Sequence, residues 1–73
     1  MPREVVEIPI PGKIISIAVT ESQQVNEGDV VCVLESMKME NPILAPVKGT
    51  VKEIKITVGQ FVASGAVAVT IDY

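Results

Sequence analysis

The sequence predicts an all-β fold: a flattened antiparallel β-barrel or sandwich of two four-stranded sheets related by approximate two-fold symmetry. Three observations lead there. β-Branched apolar residues are abundant, and these suit strands better than helices. No segment sustains a 3.6-residue apolar period, so no helix is expected. The chain is also written twice, and the repeated residues include those that make turns.

The repeat has a shift of 37 residues and no gap. Pro9 aligns with Pro46, Gly12 with Gly49, Ile17 with Ile54, Thr20 with Thr57, Gln23 with Gln60, Val25 with Val62, Gly28 with Gly65 and Val30 with Val67. The repeated units are 6–36 and 43–73. In Val30–Leu34 every residue is apolar and the inward face is ambiguous, whereas Val67–Ile71 alternates large with small or polar. By analogy Val30, Cys32 and Leu34 should face inward, as should Val67, Val69 and Ile71. The same logic puts Ile17, Val19, Ile54 and Ile56 inside, with Ser16, Glu53 and Lys55 in water. Ile14 and Val51 break that parity, which calls for a bulge or an edge contact near Gly12 and Gly49. Shorter strands fit around Val5–Ile8, Val25, Met39–Ala45 and Val62. Asn26–Asp29 and Ala63–Ala66 read as turns whose glycine takes positive φ. Pro42 inside a strand marks an edge.

Size and composition narrow the function. The chain has 73 residues, enough for one domain, and we take 1–73 as a single unit. Only Phe61 and Tyr73 are aromatic, so the core must be Val, Ile, Leu and Ala. The net charge is −3, with six basic and nine acidic residues scattered along the chain. With no basic cluster and few aromatics to stack on bases, nucleic acid is not an expected partner. Cys32 is the sole cysteine and there is no His, which leaves no internal disulfide and little for a zinc site or a His-based triad. Met1-Pro2-Arg3-Glu4 is not followed by the apolar stretch of a signal peptide, and no apolar run approaches a membrane span. A cytoplasmic location without membrane insertion is the expectation.

The repeat leaves an unrepeated connector, Met37–Pro42. If its loop has two residues, Met37 and Lys38 form it, Ser36 opposes Met39 and Glu35 opposes Glu40. As hairpin sequence this is poor: no Asn-Gly or Asp-Gly, two methionines facing solvent, and two carboxylates opposed. Local rules that fail together in one place point to function. A lone lysine is by default a solvated surface residue; this one stands at the junction of the two halves. Glu35 and Glu40 are read first as solvating charges, with partner recognition as the alternative. Ser36 needs only to be small beside the turn, and Cys32, aligned with Val69, reads as a core residue.

Here the chain resembles a known family. Glu35-Ser36-Met37-Lys38-Met39-Glu40 is similar to the attachment motif of biotinyl, or biotin carboxyl carrier, domains of the biotin/lipoyl attachment family, whose centre reads Met-Lys-Met after a small residue. The resemblance runs from about Val5 to Ile71. It implies a barrel-sandwich hybrid fold with quasi-two-fold symmetry and an attachment hairpin at 35–41. It implies covalent biotin on Lys38, with Met37 and Met39 as flanking recognition residues and Glu35 and Ser36 as part of the motif. It implies a non-catalytic carrier that shuttles carboxyl between a biotin carboxylase subunit and a carboxyltransferase subunit, and that is loaded by a biotin protein ligase. A lipoyl carrier shares fold and lysine but typically has an acidic residue before the lysine and a small one after, where Met37 and Met39 stand. An unmodified interaction module is the other rival. Thr20–Val25 matches Thr57–Val62 in length, leaving no room for the protruding thumb of some acetyl-CoA carboxylase carriers. The resemblance thus leans towards carriers of acyl-CoA or pyruvate carboxylases, transcarboxylases and decarboxylases.

Overall fold

A computed structural model describes residues 2–73. The strands are β1 (Arg3–Glu7), β2 (Gly12–Ile17), β3 (Gln24–Val25), β4 (Val30–Ser36), β5 (Met39–Leu44), β6 (Gly49–Ile54), β7 (Phe61–Val62) and β8 (Val67–Asp72). They build two four-stranded sheets, ordered β1-β8-β6-β3 and β5-β4-β2-β7, with every pairing antiparallel. The all-β expectation holds, as a sandwich rather than a closed barrel. The 37-residue shift carries β2 onto β6, β3 onto β7 and β4 onto β8, and carries β1 onto β5. One whole sheet therefore maps onto the other. Each sheet takes two strands from each half, so the halves interleave and neither can complete a sheet alone. As expected, Pro42 sits on an edge strand, β5, where its missing N–H leaves no ladder bond unmade.

Bulges come in symmetric pairs. The β2–β4 register slips between Ile14 and Ser16, and the β6–β8 register slips between Val51 and Glu53. The extra residues, Ile15 and Lys52, let Ile14 and Val51 both enter the core, at 0% and 1% exposure. That resolves the broken parity read from the sequence. A second pair corrects it elsewhere. Between Val30 and Cys32 the β4–β5 register slips, so Val31 and Cys32 are both fully buried. Val30, expected inside, is exposed and pairs with Leu44 on the outer surface. The counterpart slip in β1–β8 buries Ala68 beside Val69 and leaves Val67 only half-buried, against expectation. Leu34, Ile71, Val19 and Ile56 are buried as expected. Ile17 and Ile54 pack against the core from a half-buried position, and Glu53 is half-buried rather than in water. Burial of Cys32 pushes its thiol pKa up, which keeps it neutral.

The turns repeat in their backbone bonds. Asp29 N donates to Asn26 O at 3.0 Å and Ala66 N to Ala63 O at 3.1 Å, with Gly28 and Gly65 at φ 92° and 89°. The aligned glutamines make equivalent bonds as well. Gln23 Oε1 accepts from Thr20 N, and Gln60 Oε1 from Thr57 N, each at 3.0 Å. The molecule measures 36 × 17 × 16 Å.

Candidate functional site: the lysine hairpin

The connector between the halves is the β4–β5 hairpin. Ser36 pairs with Met39 and Glu35 with Glu40, which leaves Met37-Lys38 as a two-residue turn. Both are left-handed, at φ 54° and 63°. Two successive positive φ values define a type I′ turn, whose twist matches that of paired strands and which favours Asn-Gly. For Met and Lys the conformation costs roughly 1–2 kcal/mol each. The strands impose it. β4 is paired on both sides, by β2 and β5, and is anchored by Leu34 at 0% exposure with Ile43 behind it. Gly12 allows β2 to approach the base of the hairpin, because a Cβ there would collide with the Glu35 carbonyl oxygen. Asn41 Nδ2 donates to Met39 O at 3.2 Å and braces the return strand.

At the tip Met37 is 92% and Met39 65% exposed, so neither fills the core. Lys38 is exposed, and among the described residues its ammonium has no carboxylate within ion-pair distance. Glu35 and Glu40 face each other on the outer surface of the sheet without a cationic partner among the described residues. Ser36 is half-buried beside the turn. The six residues singled out in the sequence, Glu35 to Glu40, thus lie together within one hairpin. One exposed aromatic on the same face, Phe61, escapes a motif search because it is remote in sequence. Its alignment with Gln24 in the repeat is the signal that marks it.

A symmetric sandwich that lifts one lysine on a strained turn between its halves is a scaffold for presenting a side chain. The chain belongs to the biotin/lipoyl family, whose model, described as "biotin-requiring enzyme", matches residues 4–71. It is 40% identical to the biotinylated protein TB7.3 homolog of Mycobacterium leprae, across 85% of this chain and 87% of that one. It is 48% identical to the methylmalonyl-CoA decarboxylase subunit gamma of Veillonella parvula, across 68% of this chain but 39% of that subunit. Against the crystal structure of the Kluyveromyces lactis urea carboxylase it aligns with a TM-score of 0.92 at 25% identity, covering 99% of this chain and 6% of that one. The chain therefore spans most of the small mycobacterial relative and only a minor part of the larger ones.

Proposed function

We propose that the chain is a single biotinyl domain, residues 1–73, that carries biotin on Lys38 and shuttles a carboxyl group between a biotin carboxylase and a carboxyltransferase. The observation that carries this reading is the exposed Lys38, without an ion-pair partner among the described residues, on a strained turn between Met37 and Met39 in a chain of the biotin/lipoyl family. Bound there, the cofactor supplies a ring nitrogen able to hold and release a carboxyl group.

The chain's own part is nucleophilic and mechanical. Lys38 Nζ, as the free amine, attacks the acyl carbon of a biotinyl adenylate made from ATP by a biotin protein ligase. An amide bond forms, the acyl–phosphate bond breaks, AMP leaves and the amine proton passes to solvent. The lysine stem gives the arm its reach, and the paired strands hold its root. Met37 and Met39 offer pliable apolar contact to the ligase and to the enzymes that use the arm. The domain does no acid–base chemistry of its own and works in the cytoplasm.

The test is co-expression with a biotin protein ligase, followed by intact-mass and peptide analysis. One biotinyl group on Lys38, lost in Lys38→Arg, is the expected result. A lipoyl adduct on Lys38 without biotin, or no adduct at all, overturns the reading.

A further inference from the structure

The repeat provides an internal comparison. The strand positions flanking the lysine turn have counterparts beside Pro2 and Tyr73 on matching backbone. Across the lysine-bearing sheet, Phe61, Lys13, Glu35 and Glu40 form one register row, one residue from each of β7, β2, β4 and β5. Residues directly opposed in this way share a face, here the outer one, and the row spans about 14 Å. Its counterpart in the other sheet is Gln24, Thr50, Asp72 and Arg3. That row is polar and neutralised, with Arg3 Nε donating to Asp72 Oδ1 at 2.9 Å. The lysine-side row instead carries two opposed carboxylates and an aromatic ring that is 78% exposed. Lys13 makes no ion pair with either carboxylate. Its Nζ lies over the Phe61 ring, 5.9 Å from the centroid. Since both rows support the same fold, folding does not account for the difference.

We propose that this row is the docking surface for the enzyme that acylates the bare Lys38 amine, with Phe61 entering an apolar hollow and cationic side chains meeting Glu35 and Glu40. The inference rests on the carrier reading above. Two points commit it to that partner. A bare lysine extends only about 6 Å from its Cα, so the acylating active site must descend onto the turn and cover the adjacent row. An acylated arm reaches farther, so enzymes that use it need to cover less of that row than the enzyme that acylates the bare amine. The charge is also specific: two carboxylates without an ion-pair partner among the described residues fit a basic partner surface and repel an acidic one. An exposed aromatic beside them is the type of residue that dominates interface energies.

The test measures biotin transfer by a purified biotin protein ligase, with ATP and biotin, against acceptor concentration. Phe61→Gln and Glu40→Arg install the residues found in the counterpart row; Gln24→Ala and Thr50→Ala are controls at the other site, and thermal unfolding verifies that each variant is folded. KM should rise about tenfold for Phe61→Gln, and similarly for Glu40→Arg, with kcat unchanged and the controls at wild-type values. Wild-type KM in both variants overturns the docking surface while leaving the carrier reading intact. An equal rise in the controls also overturns it. No label on the wild-type chain overturns both.

Discussion

Met37 and Lys38 hold left-handed backbone conformations that neither side chain favours. The flanking pairs Ser36–Met39 and Glu35–Glu40 leave a two-residue loop, and the type I′ turn that closes it with the right-handed twist of the strands needs positive φ at both positions. Strain of this kind persists where a side chain is needed for something other than folding. Met37 is 92% exposed and contributes nothing to the core, so its replacement tests that separation directly. Met37→Asn should stabilise the domain by about 1 kcal/mol, raising the unfolding midpoint by roughly 4–8 °C. The same variant should be biotinylated more slowly, because the pliable apolar contact beside Lys38 is gone. Thermal unfolding and a time course of biotin incorporation measure the two effects. An unchanged midpoint would mean that the turn carries no relievable strain.

Among the elements, β2 and β6 depend on glycine for a reason unrelated to turns. A Cβ at Gly12 would strike the Glu35 carbonyl oxygen, and one at Gly49 would strike that of Asp72. Backbone cannot yield as a flexible side chain can, so Gly12→Ala and Gly49→Ala should each destabilise by about 1–3 kcal/mol. They should differ in function. Gly12→Ala displaces the root of the lysine hairpin and should lower the rate of biotinylation, whereas Gly49→Ala disturbs the opposite sheet and should leave Lys38 reactive. Denaturant unfolding and ligase assays on the pair check this, and equal loss of labelling would deny the hairpin its local support.

The alignment of these two glycines was readable in the sequence, as were the lysine turn, its register and the edge placement of Pro42. They share one cause: each follows from local chain chemistry or from the repeat. The inward faces of Val30 and Val67 were not readable. Val31 and Ala68 are bulged residues; a bulge shifts side-chain parity, leaving no mark in the all-apolar run Val30–Leu34 and overriding the apparent alternation of Val67–Ile71. The row through Phe61 was hidden as well, because it joins four strands that only the sheet pairing brings side by side.

For the molecule as a whole, the two-fold relation makes the chain nearly circular. Tyr73 N donates to Pro2 O at 3.0 Å, at the positions that correspond to Ser36 and Met39. Arg3 and Asp72 pair beside them as Glu40 and Glu35 do beside the lysine turn. Two residues joining Tyr73 to Pro2 would then stand where Met37 and Lys38 stand in the other sheet. Asn-Gly is the sequence that a type I′ turn prefers, and it would close that gap without the strain present at Lys38. Closing the backbone also removes freedom from the unfolded chain, worth about 4 kcal/mol for a loop of this size in the chain-entropy treatment. A cyclised chain from Pro2 to Tyr73 with an Asn-Gly joint should therefore unfold about 10 °C or more above the linear chain carrying the same two residues. It should still take up biotin on Lys38 at the linear chain's rate, since the joint lies in the sheet that does not bear the lysine. Calorimetry and the ligase assay measure both quantities. A cyclised chain that melts with the linear one would show that the ends are not held in hairpin register.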